Sequence, residues 1–536
     1  MNARLFAEIG SIPARMADPL QWAECLAVLR RADKALESSK DGEREELVHY
    51  VEALRGSGFH TQVLLLSFLF GFTRDPVWAR RLLDAVEFVH LPLAVAKFLY
   101  WQLDATAFRF PGVYDDAARV RIAGFYQRVV QVARAILPDH RRWIPPEART
   151  AGNIVVTAVQ MIGVAHAPTH QVLENCRTLQ RYFGKRVLLV NTAEIPRAMP
   201  IPFYNAFAAN SEPGLAGHTS IRYRDEVLAF RQFDGGMNTA DEVAAYVDLV
   251  AAWNPSFILT LGGPSVAADF CADFTTVATM PMACELPVSR GTLYLVPGAP
   301  NQRARWFQNA LGIADERVIF TPFAYDLPAR SRSLTRAAMG IPNDAFAIAI
   351  VGNRLDDDVS ANFVEALAGM LGPVPRTFAV FIGEFPRYSE IAGTNRVIRE
   401  RSCTAGFQKD LLAVYEVCDA FLNPPRLGGG SSAAFALAMG LPVLTLAGGD
   451  VSGVVCDEFR FASYEAMREE LRRYVADAAF RQQRKGLARS RFCELSDRTA
   501  AVGHLLNEIG ARLSLRPYVS AGRGTGVEQE IQNRNL

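Results

Sequence analysis

The 536-residue sequence has no long hydrophobic run, no paired cysteines and no excess of either charge. Its longest apolar stretch, Val63–Phe72, falls well short of the ~20 residues that a membrane-spanning helix needs. The eight cysteines are scattered without a CxxC pair, and this spacing indicates neither a zinc site nor a disulfide framework. The 57 basic residues nearly balance the 56 acidic ones, so the chain lacks the electrostatic footprint of a nucleic-acid-binding protein.

The sequence also lacks a recognisable export signal. Its first ten residues, MNARLFAEIG, include charges and no long apolar run, so no secretory signal peptide is expected. We therefore expect a cytoplasmic protein without a transmembrane segment. The composition, 50% apolar and 21% charged, is that of an ordinary globular protein. A chain of this length predicts two or three domains.

The first 148 residues show only helical periodicity, in which apolar residues recur at helical spacing, as Leu47, Val51 and Leu54 do. Short stretches of Gly, Pro or Asp separate the helices. We predict an all-α domain over residues 1–148 that packs without a chemistry of its own. Its helices are predicted over Pro19–Ser38, Asp41–Gly56, Thr61–Phe70, Asp75–Phe88, Pro92–Leu103 and Asp115–Leu137.

After a linker at Trp143–Gly152, apolar strands alternate with amphipathic helices, which predicts doubly wound, mostly parallel sheets. The first α/β domain is predicted over residues 150–325. Its strands are Ile154–Val159, Val187–Val190, Phe257–Leu261, Thr276–Met280, Thr292–Val296 and Val318–Phe320, and its helices are Gln171–Phe183 and Asp241–Trp253.

A second α/β domain is predicted over residues 330–515, and a disordered polar tail over residues 520–536. Two such domains, both Rossmann-like, leave a cleft between the carboxyl ends of their sheets, where ligands bind in these folds. The predicted strands are Phe346–Val351, Phe378–Ile382, Ala420–Leu422 and Pro442–Leu446. The predicted helices are Ser333–Met339, Ser360–Met370, Lys409–Val417, Ser432–Met439 and a long helical stretch at Ser463–Ile509.

The most informative segment is Cys418–Leu446, CDAFLNPPRLGGGSSAAFALAMGLPVLTL, in which a buried strand runs into a glycine loop and a helix. The loop and the start of the helix are Gly428, Gly429, Gly430, Ser431 and Ser432. Glycines allow positive φ and close backbone approach, and free N–H groups at a helix start form an anion site. We predict that it binds a diphosphate without a metal. The order of strand, glycine loop, small-residue helix, Gly-x-Pro-Val and strand resembles the donor-binding half of the two-Rossmann glycosyltransferases, commonly called GT-B.

This resemblance implies further donor-binding residues upstream. Asn353 and Arg354 follow the first strand of the second α/β domain, where this superfamily commonly supplies an amide or a cation to the donor diphosphate. Arg354 is the preferred phosphate ligand because an arginine can grip two phosphate oxygens; the alternative is a surface residue in the turn. The segment Thr404–Asp410, TAGFQKD, resembles the loop that reads the nucleobase and adds Phe407 and Gln408. Phe407 either stacks on the base or serves as a hydrophobic staple.

Three consecutive aspartates, Asp356–Asp358, have the composition of the DxD metal site of the other glycosyltransferase fold. Their position just before the predicted helix Ser360–Met370 favours N-terminal capping and stabilisation of the helix dipole instead. We therefore expect no metal and no other cofactor, with the nucleotide sugar as a substrate.

Two histidines lie close together after the first predicted strand. The segment Gly163–Gln171, GVAHAPTHQ, places His166 and His170 at a strand-to-helix turn that faces the cleft. A neutral histidine there can act as a general base on an acceptor or hydrogen-bond the sugar donor. The alternative for each is a capping or core role. Tyr204 and His218, in later loops of the same domain, are weaker acceptor-side candidates.

Together these motifs resemble the O-GlcNAc transferase and bacterial adhesin N-glycosyltransferase family. That family has a His-Pro-Thr-Ser-His-type segment at this turn, similar to His166–His170, and a donor loop similar to Gly429–Ser432, in which hydroxyl residues contact the diphosphate. The resemblance covers about residues 150–510 through short motifs. It implies a GT-B fold, a UDP-sugar donor and a polypeptide or glycan acceptor. An N-terminal helical domain also suits the family, although clear tetratricopeptide repeats are lacking.

The sequence departs from the family at the ribose-binding carboxylate, whose expected position falls near Phe435. The Glu-x7-Glu pattern of many retaining GT-B enzymes is also missing from the same helix. The nearest acids are Asp410 and Asp450, and Asp450 is the candidate that would accept the ribose hydroxyls.

We therefore predict a metal-independent, inverting transferase that moves a hexose or N-acetylhexosamine from a UDP-sugar to a protein or glycan. A retaining glycan-building transferase is the nearest variant. A non-hydrolysing nucleotide-sugar epimerase shares the two-domain architecture but needs several carboxylates and histidines that converge in the cleft. A non-enzymatic scaffold is the third class, against which the intact glycine loop and the paired histidines argue.

Overall fold

The computed structural model describes residues 3–36, 41–54, 58–137, 141–163, 166–208 and 213–516. They form a helical domain followed by two α/β domains, each built on a mostly parallel sheet, as predicted. The predicted disordered tail, residues 520–536, lies outside the described residues. Within those ranges no helix has both the length and the apolarity that crossing a membrane requires.

The helical domain packs around one apolar helix, in which ten of the fifteen residues are buried, including Phe68 and Phe72. The helices that begin at Trp22, Pro76 and Asp116 are amphipathic, and the side chains of Asp75 and Asp115 cap the last two by accepting hydrogen bonds from backbone N–H groups. All six predicted helices are present. The helices are α1 (Ala3–Gly10), α2 (Ile12–Arg15), α3 (Trp22–Leu36), α4 (Asp41–Ala53), α5 (Phe59–Thr73), α6 (Pro76–Glu87), α7 (Leu93–Arg109) and α8 (Asp116–Ile136).

The first α/β domain contains an eight-stranded sheet in the order β3-β4-β2-β1-β5-β6-β7-β8, parallel except for the edge strand β3. Its strands are β1 (Thr150–Ala158), β2 (Arg186–Asn191), β3 (Ser220–Tyr223), β4 (Glu226–Gln232), β5 (Pro255–Leu261), β6 (Val277–Met280), β7 (Leu293–Pro297) and β8 (Val318–Thr321). Its helices are α9 (Ala167–Phe183), α10 (Ala240–Trp253), α11 (Val266–Cys271) and α12 (Gln302–Ala310).

The second α/β domain contains a six-stranded sheet in the order β11-β10-β9-β12-β13-β14, parallel throughout. Its strands are β9 (Phe346–Val351), β10 (Thr377–Ile382), β11 (Ser402–Gly406), β12 (Ala420–Leu422), β13 (Val443–Leu446) and β14 (Arg460–Phe461). Its helices are α13 (Leu355–Asp358), α14 (Ala361–Leu371), α15 (Tyr388–Thr394), α16 (Arg396–Arg401), α17 (Leu411–Tyr415), α18 (Gly430–Ala438), α19 (Gly449–Val454), α20 (Tyr464–Ala476) and α21 (Ala478–Ser496). The last helix, α22 (Arg498–Gly510), packs on α9 and β8 of the first α/β domain.

One predicted helix of this domain is wrong. Within Ser333–Met339 the structure has only a short 3-10 turn, Ala337–Met339. The guanidinium of Arg336 donates to the carbonyls of Asn343 and Ala345 and forms an ion pair with Asp419, so tertiary hydrogen bonds fix an irregular chain there.

The carboxyl ends of the two sheets face each other. The loop after β6 meets α19, because the carboxylate of Asp450 accepts from the backbone N–H of Cys284 at 2.8 Å. A side chain at Gly453, also on α19, would lie 2.8 Å from the sulfur of Cys284. These contacts bring the loop after β6 against α19 on the side where the cleft is predicted.

Candidate functional site

The glycine turn between β12 and α18 is an uncapped helix start. Gly428 and Gly429 have φ of 90° and 84°, which favour glycine, and α18 begins at Gly430, two residues before its predicted start. Gly429 occupies the cap position and provides no side-chain hydrogen bond. The first N–H groups of α18, from Gly430, Ser431 and Ser432, therefore have no capping side chain, which is the geometry that binds anions.

Neighbouring side chains explain why glycine is required at this turn. A Cβ at Gly429 would lie 2.8 Å from a guanidinium nitrogen of Arg426, and one at Gly430 would lie 2.9 Å from the hydroxyl of Tyr325. The turn thus packs directly on the side chains of Arg426 and Tyr325, and we expect a ligand to contact its backbone.

Arg426, which the sequence interpretation missed, supports the turn from below. Its buried guanidinium forms an ion pair with Asp358 at 3.0 Å and donates to the carbonyl of Val351 at 2.6 Å and to Asn423 at 3.1 Å. The ends of β9 and β12 are thereby fixed to each other. The available signal was a charged residue just before the glycine triplet, at the end of a buried strand.

Asp450 lies beside the glycine turn, but its carboxylate is already engaged. One oxygen accepts from the backbone N–H of Gly428 at 2.7 Å and the other from that of Cys284 at 2.8 Å. Burial raises the pKa of Asp450. These two bonds hold the turn against the first α/β domain, and each oxygen keeps a lone pair, so the ribose contact of Asp450 stays a prediction.

Arg354 lies at the turn, as the sequence places it. Its Nη2 donates to the carbonyl of Leu427 at 2.9 Å and lies 3.6 Å from Asp358. The guanidinium is partly exposed, and burial lowers the pKa of Arg354. Asn353, its neighbour, is exposed at the end of β9. Arg354 thus retains donors for a ligand at the start of α18.

The three aspartates have separate partners instead of capping a helix as predicted. Asp356 accepts from the backbone N–H of Arg387, Asp357 pairs with Arg109, and Asp358 pairs with Arg426. They belong to the short helix α13, and the hydroxyl of Ser360 caps α14 in their place. Among the described residues no group of three His, Cys, Asp or Glu side chains is arranged to hold a metal ion.

The predicted base-reading loop follows β11. Phe407 is 61% exposed, so its ring is open to a planar ligand. Gln408 binds within the protein: its amide donates to the carbonyl of Ala405 and accepts from Arg332. The carboxylate of Asp410 accepts from the backbone N–H groups of Ser331 and Arg332 and caps α17. These hydrogen bonds outweigh the effect of burial and lower the pKa of Asp410 to about 2.

The two histidines lie at the start of α9, which begins at Ala167, four residues before its predicted start. His166 is the residue before the helix, and its Nδ1 lies 3.1 Å from the hydroxyl of Thr169. Burial lowers the pKa of His166, which favours the neutral ring. His170 is inside the first turn, and its Nε2 lies 3.7 Å from the carboxylate of Glu174. Burial, outweighing that carboxylate, also lowers the pKa of His170.

The two acceptor-side candidates, Tyr204 and His218, have different surroundings, and the acceptor role of His218 stays a prediction. Tyr204 is buried against the helical domain, where its hydroxyl donates to Asp33 at 2.6 Å and its ring packs on Phe68. His218 is exposed, with only a long contact of 3.3 Å to the carbonyl of Ala216. The residues grouped at the turn are Arg354, Asp450 and the glycine–serine segment.

A scan of the sequence against protein-family models finds no match, and a comparison with curated proteins finds none either. Solved structures do match. The O-GlcNAc transferase of Thermobaculum terrenum, solved as a mutant, has a TM-score of 0.52 at 16% identity, over 96% of this chain and 99% of that one. The chain has the GT-B fold. Because the match covers nearly the whole of both chains, it includes the helical domain as well as the two α/β domains.

Shorter GT-B proteins also match. A glycosyltransferase from Rickettsia africae has a TM-score of 0.48 at 12% identity, over 67% of this chain and 98% of that one. An Anabaena protein solved in complex with UDP and glucose has a TM-score of 0.46 at 14% identity, over 67% of this chain and 100% of its own.

Proposed function

We propose that the chain is a glycosyltransferase that moves a hexose or N-acetylhexosamine from a UDP-sugar to a protein or glycan acceptor. The observation that carries the proposal is the uncapped start of α18, presented at the cleft by Gly428 and Gly429 with Arg354 beside it. A diphosphate can accept hydrogen bonds from the backbone N–H groups and the guanidinium of Arg354, and the helix dipole favours its negative charge.

In this proposal the diphosphate accepts from the N–H groups of Gly430, Ser431 and Ser432 and from the guanidinium of Arg354. The helix start and the arginine offset the charge that develops on the leaving nucleotide, so the proposal needs no metal or other cofactor. The exposed ring of Phe407 is available to stack on the base.

His166 is proposed as the general base. The acceptor oxygen attacks the anomeric carbon, the bond from that carbon to the diphosphate breaks, and UDP leaves with the electron pair. His166 takes the acceptor proton on Nε2, which requires that its Nδ1–H donate to Thr169. Attack from the face opposite the leaving group inverts the anomeric centre. His170 is proposed to hold the start of α9 in place through its contact with the carboxylate of Glu174.

A screen of labelled UDP-sugars, with and without peptide and glycan acceptors, tests the proposal. We expect one donor to transfer its sugar to an acceptor with inversion, detected by mass spectrometry and by the anomeric coupling constant of the product. Retention of the anomeric configuration in the product would identify a retaining transferase. Conversion of the donor into another UDP-sugar without acceptor would identify an epimerase. Binding of UDP-sugars without turnover of any of them would identify a non-enzymatic scaffold.

A further inference from the structure

The carboxyl end of α7, in the helical domain, contacts the glycine turn of the second α/β domain. The guanidinium carbon of Arg354 lies 4.7 Å from the centroid of the Phe108 ring. A Cβ at Gly428 would lie 3.4 Å from the same ring. Phe108 is 39% exposed although it touches both groups. An exposed aromatic ring therefore borders the place where the diphosphate is proposed to bind.

The next residue, Arg109, joins all three domains at this point. Its guanidinium forms an ion pair with Asp357 of α13 and lies 4.5 Å from the centroid of the Phe207 ring of the first α/β domain. Phe207 is in turn fixed by α7, because its backbone N–H and carbonyl both bind the side-chain amide of Gln102. The end of α7 is thus held against both α/β domains.

We propose that the end of α7 is a third wall of the donor site, in which Phe108 and Arg109 are positioning residues for Arg354. This inference rests on the proposed function. The ring of Phe108 restrains the arginine side chain in the pose that presents its free donors to the turn. Arg109 engages Asp357, a carboxylate whose charge otherwise attracts Arg354. Both contacts reduce the ordering that Arg354 must undergo when a diphosphate binds.

The local charges favour the same assignment. Three guanidinium groups, from Arg109, Arg354 and Arg426, lie around the two carboxylates of Asp357 and Asp358. The helical domain therefore supplies the third guanidinium group of a cluster that lies beside an anion-binding helix start.

Calorimetric titration of the full chain with UDP tests the proposal. We expect Phe108→Ala and Arg109→Ala each to weaken UDP binding by a factor of about three to five, the range of a partly exposed cation–π contact for Phe108 and of a partly exposed ion pair for Arg109. Phe108→Trp keeps a ring face and should bind UDP as the wild type does. In steady-state assays with the donor found by the screen, Phe108→Ala should raise the donor KM and leave kcat nearly unchanged.

Two matched controls separate positioning from general loosening of the helical domain. Phe88 is an exposed ring whose centroid lies 5.5 Å from the guanidinium carbon of Arg128, and both residues belong to the helical domain. Arg134 forms a partly buried ion pair with Asp273 that ties the helical domain to the first α/β domain. We expect Phe88→Ala and Arg134→Ala to leave the UDP affinity unchanged.

Wild-type affinity in folded Phe108→Ala and Arg109→Ala proteins would overturn the inference while leaving the proposed function intact. An equal loss in the two control variants would overturn it as well, since the effect would then be general. If the wild type itself binds no UDP, the proposed function fails first. Should Phe108→Ala not fold, Phe108→Leu keeps the apolar volume without the ring face and decides the same question.

Discussion

At the residue scale, His166 carries the chemical claim. We expect His166→Ala to lower turnover at saturating donor by ~10²–10⁴-fold, the usual contribution of a general base. The UDP affinity should stay near the wild-type value, because the base acts in the transition state. Initial rates and calorimetry measure the two quantities. His90→Ala, at an exposed histidine of the helical domain, is the control and should leave both unchanged.

The lowered pKa of His166 adds a pH dependence to the same prediction. The neutral ring accepts the proton, so activity is present above the pKa of His166 and is lost as the pH falls through it. Since burial lowers that pKa, the acid limb of kcat/KM should have its midpoint below 6.5, the ordinary value for histidine. A midpoint above 6.5, or full turnover in His166→Ala, contradicts the role. A loss in His170→Ala alone would transfer the role to His170.

Individual side chains differ in how far the sequence predicts them. Arg354 was proposed through the resemblance to the GT-B superfamily, and the structure adds that its strand β9 lies beside β12, which carries the glycine loop. The role of Arg426 could not be predicted: its place before the glycine triplet is a local signal, but its partners Asp358 and Val351 lie about 70 residues away in the chain. Asp450 was placed near the site, but only the structure shows that Gly428 and Cys284 occupy its oxygens.

At the scale of elements, buried strands were predicted best. Phe346–Val351 and Ala420–Leu422 have the predicted bounds because every residue in them is buried and apolar. The hairpin of β3 and β4 was missed because β3 is an edge strand of only four residues with one of them buried, which leaves little apolar pattern in the sequence. The start of α9 was placed late because Pro168 was taken for a loop residue, whereas proline fits the first turn of a helix.

The start of α18 makes a prediction in which stability and binding change in opposite directions. Ser431→Asp places a carboxylate in the first turn, where it interacts favourably with the helix dipole by about 0.3–1 kcal/mol. The same charge repels a diphosphate, so UDP binding should fall at least about tenfold. Thermal melting and calorimetry measure the two effects.

Ala479→Asp is the matched control for Ser431→Asp. It introduces the same charge at the equivalent position of α21, whose cap is Asp477, and should leave UDP binding unchanged. Wild-type UDP affinity in Ser431→Asp would show that the diphosphate does not occupy the start of α18.

At the scale of the whole molecule, Arg498 ties the last helix back to the first α/β domain. Its buried guanidinium pairs with Asp326 and donates to Gln171 and to the carbonyl of Ala324, each at 2.8 Å. Arg498→Met removes the hydrogen bonds of the guanidinium and leaves the partly exposed Asp326 without its partner, so it should destabilise the protein by ~1.5–3 kcal/mol. This appears as a lower midpoint of thermal unfolding.

Arg396→Met is the control for that loss. Arg396 forms an exposed pair with Glu400 one helical turn away, and such pairs contribute about 0.3–0.5 kcal/mol. Equal unfolding midpoints for the two variants would contradict the role of Arg498.

The alternation of strands and helices was sufficient to predict both α/β domains, and helical periodicity was sufficient to predict the helical domain before them. The position of the helical domain against the cleft was not predictable in this way. It depends on pairs such as Arg109 with Asp357, which are 248 residues apart and occupy single positions on their elements. Periodicity shows which face of a helix is buried, but it does not show which domain covers that face.

The central claim is that the glycine turn and Arg354 bind a nucleotide diphosphate without a metal. Titration of the full chain with UDP in the presence of EDTA, followed in a calorimeter, tests it most directly. We expect one site per chain, an affinity that added Mg²⁺ or Mn²⁺ does not improve, and a loss of about tenfold or more in Arg354→Ala. Binding that vanishes in EDTA and returns with Mg²⁺ or Mn²⁺ would contradict the claim.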